Sequence, residues 1–147
     1  MTEAELPSIR VHDDPVLFRE ALNFTSAETL FPSRLIEKDY YCTVLLAYLT
    51  SANKQLVFKG GTCLAKVHGN FYRLSEDLDF TIPMPVTTSR SQRAKQAVSL
   101  KNAVARLADK VPCFRIAEPL RGANVSTQYI ATISYSSMIT RQDEIIM

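Results

Sequence analysis

Apolar residues recur at helical spacing in two stretches of the first third of the chain. The first stretch predicts a helix that Asp13 or Asp14 caps, with Pro15 in its first turn, and that extends to about residues 23–25. The second predicts a helix over residues 34–50 that Ser33 caps. This helix is apolar on most faces in its later turns, which is typical of a buried helix. Two N-terminal helices are therefore expected, and the second should lie in the core.

A long helix is also predicted over residues 89–110, from an apolar stripe opposite a polar face. Residues 90–108 contain five basic residues and no acidic one. That face could follow an RNA backbone, because phosphate contacts need only accessible Lys or Arg side chains. A solvated helix face explains the same charges, and no aromatic residue interleaves them to stack on bases.

Strand patterns follow this helix. Residues 113–117 predict a strand, and Pro119 and Gly122 mark a turn after it. Residues 125–139 alternate between apolar and polar positions, which indicates a strand with one face in water. A further apolar strand begins at about residues 144–147. Together the elements predict an α/β (α+β) fold with a small mixed β-sheet flanked by helices.

Composition narrows the class of protein. A chain of 147 residues with 46% hydrophobic content suits one domain around one core, and we expect residues 1–12 to form a loose N-terminal arm. Three scattered cysteines and two distant histidines argue against a disulfide framework or a zinc site. The acidic start has no apolar signal segment, and no run approaches a membrane span, so a cytoplasmic protein without a membrane partner is expected. The net charge of +2 neither requires nor excludes nucleic acid.

The middle of the chain has the pattern of a strand, a glycine turn, a short helix, a loop and a second strand. Residues 56–58 predict a buried strand, and Gly60 and Gly61 allow a tight turn or the close approach of a ligand. Thr62 can cap a helix over about residues 63–67. The backbone N–H groups at that helix start could hold phosphate.

Two aspartates occupy the second strand of this unit. Asp77 and Asp79 are two positions apart, so in a strand they would share one face while apolar neighbours take the other. Their Cα atoms would lie ~6.5–7 Å apart, within reach of one Mg²⁺ or of two metal ions ~3.5–4 Å apart. Like charges so close repel, and a bound cation would relieve the repulsion. A phosphate cradle beside such a pair is typical of phosphoryl or nucleotidyl transfer, whereas the plain alternative is an ordinary strand with two solvated aspartates.

Basic residues flank the glycine turn and the loop. Lys59 precedes the glycines instead of following them, so the turn is not a P-loop, and no G-x-G-x-x-G occurs either. Arg73 could contact phosphate, or it could pair with Glu76 or an aspartate for structural reasons. Both interpretations of Arg73 stay open.

A family resemblance rests on these same residues. The strings KGGTCL and RLSEDLDF, with Thr62 fifteen positions before Asp77, resemble the nucleotidyltransferase fold of the polymerase-beta type, and most of all its AbiEii/AbiGii toxin branch. The string IEKDYY at residues 36–41 resembles a stretch that this branch carries on the helix before the glycine motif. The resemblance covers about residues 30–82.

The resemblance implies a reaction and a set of site residues. The reaction is Mg²⁺-dependent transfer of an NMP from an NTP to an acceptor hydroxyl, here the tRNA 3′ end, by the toxin of a toxin–antitoxin or abortive-infection system with a cognate antitoxin. Of two metal ions, one would activate the acceptor hydroxyl and the other would stabilise the charge that leaves with pyrophosphate. Two alternatives stay open: transfer to a protein or small-molecule acceptor, and a catalytically incomplete module that only binds nucleotide or RNA. The implied nucleotide-binding residues are Lys59, Gly60, Gly61, Thr62 and Arg73, and the implied metal-binding and catalytic residues are Asp77 and Asp79.

A third carboxylate is the part of the site that the sequence leaves open. Enzymes of this kind use one on a strand after the long one, together with a downstream lysine and a helical C-terminal region. Glu144, beside Asp143, is the candidate third catalytic carboxylate; the alternative is a residue beyond Met147, because the chain looks truncated relative to the family. On residue type alone, Lys38 and Asp39 suit a solvated helix start with local ion pairs. The resemblance favours a site-facing or structural ion-pair role for them, with neither residue catalytic.

Overall fold

Two long helices open the chain. In the computed structural model, which describes residues 9–70, 74 and 76–147, α1 spans Pro15–Thr29 and α2 spans Ser33–Ala52. Both match the helices that the apolar periodicity predicts, each running a few residues further. Neither they nor any other helix in the described part of the chain is long and apolar enough to cross a membrane.

Of the two predicted helix caps, the one at the start of α1 is confirmed and the one at the start of α2 is wrong. The carboxylate of Asp14 accepts hydrogen bonds from the N–H groups of Val16 and Leu17, so Asp14 caps α1 as predicted. Ser33 is instead the first residue of α2, and Pro32 before it offers no side-chain cap. The prediction of a Ser33 cap is wrong because the chain becomes helical directly after the proline.

The core forms around the later turns of α2. Cys42, Leu45 and Leu49 are fully buried there, as expected for a helix that is apolar on most faces. Tyr41 stacks on Tyr135 of the C-terminal sheet, with ring centroids 4.2 Å apart, so α2 joins the helical and sheet parts of the core. Other large core residues are Phe18, Leu22, Leu78, Leu100, Val104, Leu107, Phe114, Ile133 and Ile145.

The middle of the chain forms a two-stranded antiparallel sheet around a short helix. β1 (Val57–Lys59) leads directly into α3 (Gly60–Cys63), which continues as one π-helical turn over Leu64–His68. β2 (Asp79–Thr81) pairs with β1, so that the end of β1 lies opposite the start of β2. The predicted order of strand, glycine turn, helix and second strand is therefore confirmed, whereas residues 71–73 and 75 of the predicted loop lie outside the described residues.

β1 differs from the buried strand that the apolar run at residues 56–58 predicts. It lies one residue later, with Val57 and Lys59 exposed and Phe58 half-buried. The two-stranded sheet packs on the core through Phe58 and Phe80, whose ring centroids lie 5.7 Å apart. Because alternate strand residues point to opposite faces, the residues beside Phe58 stay in solvent.

Three helical segments replace the single long helix that the sequence predicts. They are α4 (Arg90–Gln96), α5 (Val98–Ala105) and α6 (Leu107–Lys110). The breaks fall at Ala97 and Arg106, whose ψ angles of −11° and −1° depart from the α-helical value. The polar face remains in solvent, so both interpretations of its charges stay open. Its exposed basic residues are Arg90, Lys95, Lys101, Arg106 and Lys110.

The C-terminal part forms an antiparallel sheet in the order β3–β4–β5. β3 spans Phe114–Ala123, β4 spans Gln128–Ser137 and β5 spans Arg141–Ile146. Pro119 and Gly122 lie inside β3, so the prediction of a turn there is wrong. The strand accommodates the proline through register shifts in this region, where a missing N–H donor does not interrupt a regular ladder.

One backbone hydrogen bond joins the two sheets. The N–H of Leu78 donates to the carbonyl of Ile146 over 3.0 Å, so β5 neighbours the segment that carries the aspartates. The predicted α/β (α+β) class is confirmed. The described strand pairings are all antiparallel and fall into two small sheets, where the sequence predicts one mixed sheet. Periodicity indicates which face of a strand is buried and carries no information on the direction of its neighbour.

Residues 9–12 belong to the packed structure. Ile9 packs against the core, and the Nδ1 atom of His12 lies 2.6 Å from the hydroxyl of Tyr40 on α2. The prediction of a loose arm is therefore wrong for these residues, because α2 gives the segment a polar anchor. Residues 1–8 of the predicted arm lie outside the described residues.

Glu37 at the start of α2 is completely buried. Its carboxylate accepts hydrogen bonds from the hydroxyl of Ser137 and from the N–H of Met138, the latter at 2.7 Å. These donors lie where β4 ends, so a carboxylate of the helix fixes the turn into β5. Lys38 beside it is also buried. The solvated helix start is therefore wrong, because tertiary contacts remove these charges from water.

Replacing Glu37 with alanine should lower the free energy of unfolding by roughly 2–4 kcal/mol, because the buried Ser137 hydroxyl and the partly buried N–H of Met138 lose their acceptor. Urea unfolding followed by circular dichroism measures the change. Glu20→Ala, at an exposed position of α1, is the matched control and should change stability by less than about 0.5 kcal/mol. Equal effects of the two substitutions would contradict the structural role of Glu37.

Candidate active site

The glycine turn and Asp79 lie in direct contact. Gly60 has φ = +78°, a left-handed conformation that favours glycine. A Cβ atom at this position would lie 2.2 Å from the Oδ2 atom of Asp79 and 2.8 Å from its Cγ atom. The pairing of β1 with β2 sets up this contact, since Lys59 lies opposite Asp79. A residue without a side chain therefore allows the Asp79 carboxylate to lie against the start of α3.

Thr62 connects the same turn to Asp77. Its hydroxyl donates a hydrogen bond to the Asp77 carbonyl, and the residue is only 1% exposed. α3 begins at Gly60 with Lys59 as its N-cap, so the prediction that Thr62 caps the helix is wrong. The hydroxyl of Thr62 instead holds residues 76–78, the segment that leads into β2 and is called the aspartate loop below. Phosphate binding at this turn would therefore rely on the backbone. The first-turn amides of a helix, here those of Gly60, Gly61 and Thr62, have no acceptor within the helix.

The segment that carries the two aspartates alternates in exposure. Asp77 and Asp79 are exposed, whereas Leu78 between them is 1% exposed. β2 begins only at Asp79, so the prediction that both aspartates lie in the strand is wrong for Asp77. The carbonyl of Asp77 is bound by a threonine hydroxyl of α3 instead of by a neighbouring strand. Leu78 anchors the segment, and the carboxylates on both sides of it reach solvent.

A network of ion pairs holds the residue that precedes Asp77. The Nζ atom of Lys38 lies 2.9 Å from Oε2 of Glu76 and 3.7 Å from Oδ1 of Asp143. Arg34 approaches the same two carboxylates, at 3.4 Å from Glu76 and 2.9 Å from Asp143. The side chains of Lys38 and Asp143 are 8% and 11% exposed, so this half of the network is largely removed from water. The network joins α2, β5 and the aspartate loop.

A second ion pair ties the π-helical turn to α2. The Nζ atom of Lys66 lies 2.6 Å from Oδ1 of Asp39 and donates a hydrogen bond of 2.8 Å to the hydroxyl of Thr43. Lys38 and Asp39 therefore form structural ion pairs, which was one of the two roles that the resemblance favours for them.

The contacts of Asp143 lower the pKa of its carboxyl. Burial raises the pKa of its carboxyl, but the N–H of Glu144 and the cations Arg34 and Lys38 outweigh burial and bring the pKa below its ordinary value. The contacts therefore favour the charged form of Asp143 in the folded protein.

Glu144 does not join the two aspartates. It is exposed on β5, opposite Ser134 of β4. β5 reaches Leu78 through Ile146, which lies two residues beyond Glu144, or ~6.5–7 Å further along a strand. Among the residues that the structure describes, no three His, Cys, Asp or Glu side chains come close enough together to hold a metal ion. The role of Glu144 as third carboxylate stays a prediction that this arrangement does not support.

Sequence reasoning found the residues of the glycine turn and missed the ion network behind it. Lys59 is exposed at the end of β1, beside the turn, whereas Arg73 lies outside the described residues and keeps its role as a prediction. Arg34 and Asp143 are 109 positions apart, so no local pattern could have related them. The run of charged residues at positions 37–39, at the start of a helix that is mostly apolar in its later turns, is a signal in the sequence that such partners exist.

Comparison with known proteins identifies the family. The model of the family described as nucleotidyl transferase AbiEii toxin, Type IV TA system, matches residues 44–144, which is more than half of the chain. The chain belongs to the AbiEii family. The match includes the glycine turn and both aspartates, and it extends through β3 and β4 into β5, well past the stretch on which the sequence resemblance rests. No curated protein and no solved structure gave a significant match.

In this AbiEii-family chain, Gly60→Ala should lower the free energy of unfolding by at least about 2 kcal/mol. The left-handed backbone alone disfavours alanine by ~1–2 kcal/mol, and the new Cβ atom meets the Asp79 carboxylate. In an Asp79→Ala background the two closest atoms are absent, so the same substitution should be milder by about 1 kcal/mol or more. Urea unfolding of the four variants of this double-mutant cycle measures the coupling. Strictly additive effects would show that the contact does not exist.

Asp143→Asn should lower stability near neutral pH, and this loss should shrink in acid. The folded-state pKa of Asp143 lies below its unfolded value, so the carboxylate contributes stability above the unfolded pKa and loses it as pH falls through the folded pKa. Urea unfolding of both proteins between about pH 6 and pH 2.5 follows the difference. Asp109→Asn, at an exposed position of α6, is the matched control. A difference that is constant over this range would refute the assignment.

Proposed function

We propose that this chain transfers an NMP from an NTP to an acceptor hydroxyl, with Mg²⁺ as cofactor, as the toxin of a type IV toxin–antitoxin system. The observation that carries the proposal is the contact of the Asp79 carboxylate with Gly60. It brings a typical Mg²⁺ ligand and a backbone turn suited to phosphate into one place. Membership of the AbiEii family supports the reaction class. The acceptor that we propose is the 3′ end of a tRNA, and the protein partner is a cognate antitoxin.

The donor set suits Mg²⁺. This ion prefers oxygen ligands, keeps several waters, and is commonly bound through one or two carboxylates together with substrate phosphates. Asp77 and Asp79 are exposed, and among the described residues neither of them forms a salt bridge. When bound there, Mg²⁺ would stabilise negative charge on the phosphate oxygens during transfer.

The residues of the turn would position the nucleotide. The N–H groups of Gly60, Gly61 and Thr62 would donate hydrogen bonds to phosphate oxygens, at the end of the helix where the backbone dipoles favour negative charge. Lys59 adds a positive charge beside the turn. Arg73 completes the proposed nucleotide-binding set.

One observation favours a second function. Glu144 is not assembled with the aspartate pair, so a site with two carboxylates could bind an NTP without transferring it efficiently. The chain would then be a nucleotide- or RNA-binding module. Transfer to a protein or a small molecule is a further version of the first proposal, in which the acceptor alone differs.

Incubation of each labelled NTP with pooled tRNA and Mg²⁺ tests the proposal. Label should appear in RNA, and the double variant Asp77→Ala/Asp79→Ala should lose at least about 100-fold of this activity, because the ligands for Mg²⁺ are absent. The double variant should stay folded or become more stable, since removing both carboxylates ends their repulsion. Glu20→Ala on α1 is the matched control and should retain transfer.

The other outcomes discriminate among the alternatives. NTP binding without label in any acceptor would favour the binding module. Label in protein would identify a protein acceptor. Transfer that is unchanged in the double aspartate variant would contradict the assignment of the metal ligands.

A further inference from the structure

A cleft of about 610 Å³ opens beside the candidate active site. Its lining includes Lys59 and Asp79 from the two-stranded sheet, Arg93 from α4 and Tyr129 from β4. Apolar side chains, among them Leu100, form much of the remaining surface of the cleft. The volume and the mixture of apolar and few polar groups are typical of a site for a small organic molecule.

Two of the lining residues each carry a buried polar atom that is unpaired. The hydroxyl of Tyr129 and the Nε atom of Arg93 have no hydrogen-bond partner among the described residues. A buried polar group without a partner destabilises the free protein, and a ligand that offers an acceptor would remove that penalty. The two groups therefore mark positions where a ligand could receive hydrogen bonds.

The ring of Tyr129 is held in place by its neighbours. Gly122 lies opposite it on β3, and a Cβ atom there would be only 3.2 Å from Cε1 of the tyrosine. The Nζ atom of Lys101 lies 5.2 Å from the ring centroid, within range of a cation–π interaction. The phenol is therefore fixed before any ligand arrives.

Arg93 is fixed in a similar way. Its two terminal nitrogens donate to the carbonyls of Thr88 and Val125, at 2.5 Å and 2.9 Å, whereas its buried Nε has no acceptor among the described residues. Val125 has φ = +57°, in the left-handed region that a β-branched residue rarely adopts. The arginine thus holds a strained turn between β3 and β4 at the edge of the cleft, and strained turns of this kind concentrate at ligand sites.

Resting on the proposed function, we propose that this cleft binds the nucleoside part of the NTP, and that Tyr129 and Arg93 determine which nucleotide is preferred. Asp79 lies against Gly60 and also lines the cleft, so a nucleotide with its phosphates at the glycine turn has its sugar and base within reach of the cleft. The tyrosine hydroxyl and the Nε–H of the arginine would bond to acceptors on the base or the sugar. A nucleotide without an acceptor at that position would leave both groups buried and unpaired, and would be rejected for that reason.

Tyr129→Phe tests this inference, because it removes the hydroxyl and keeps the ring beside Gly122 and Lys101. With Mg²⁺ present, the Kd for the preferred NTP should rise about fivefold to thirtyfold, and the preference among the four NTPs should weaken. Binding of inorganic tripolyphosphate should not change, since it has no nucleoside. The melting temperature should be unchanged or higher, because a buried unpaired hydroxyl is gone. Tyr40→Phe, which removes the hydroxyl that contacts His12, is the matched control.

The outcomes separate this inference from the proposed function. If wild type binds NTP and Tyr129→Phe binds it equally well with the same preference, the cleft assignment is overturned and the proposed function stands. Equal losses for NTP and tripolyphosphate would likewise overturn it, because the tyrosine would then act on the fold. If wild type binds no NTP in Mg²⁺, both proposals fail.

Discussion

The carboxylate of Asp79 lies against the backbone of Gly60, and the geometry around the site depends on this contact. The contact requires a glycine with a left-handed backbone, the antiparallel register that places Lys59 opposite Asp79, and a helix that begins at the turn without a spacer. A shift of one residue in the register would move Asp79 to the other face of the sheet and separate the carboxylate from the amides of α3. The glycine turn and β2 thus form one structural unit.

The charged turn at the start of α2 holds the segments around this unit in place. Glu37 holds the end of β4, Lys38 holds the residue before Asp77, and Asp39 holds the lysine at position 66. Three consecutive residues on a helix point in directions about 100° apart, so one turn can reach three separate parts of the fold. Because Lys38 is buried, loss of its acidic partners would leave an uncompensated charge, which destabilises more than loss of the whole pair.

The sequence predicted features whose causes are local. The cap at Asp14, the glycine turn and the alternation of exposure at residues 77–79 each depend on a few neighbouring positions. The errors arise where tertiary contacts decide. No proline or glycine marks the break at Ala97, and Pro119 is tolerated inside β3 only because the pairing register shifts around it. The family resemblance found the aspartates because their motif is compact, whereas the ion network that supports them spans most of the chain.

The ion network also determines the charge that the site presents. Lys38 and Arg34 contact the aspartate loop, but they pair with Glu76 and Asp143 and not with the exposed carboxylates. The loop is therefore held by cations that already have acidic partners, and the two aspartates form no salt bridge among the described residues. Nearby like charges favour the binding of a cation from solution, and a carboxylate pair beside free backbone amides favours a cation that arrives together with phosphate. The fold thus stabilises the loop without pairing the two aspartates, whose negative charge the proposed chemistry needs.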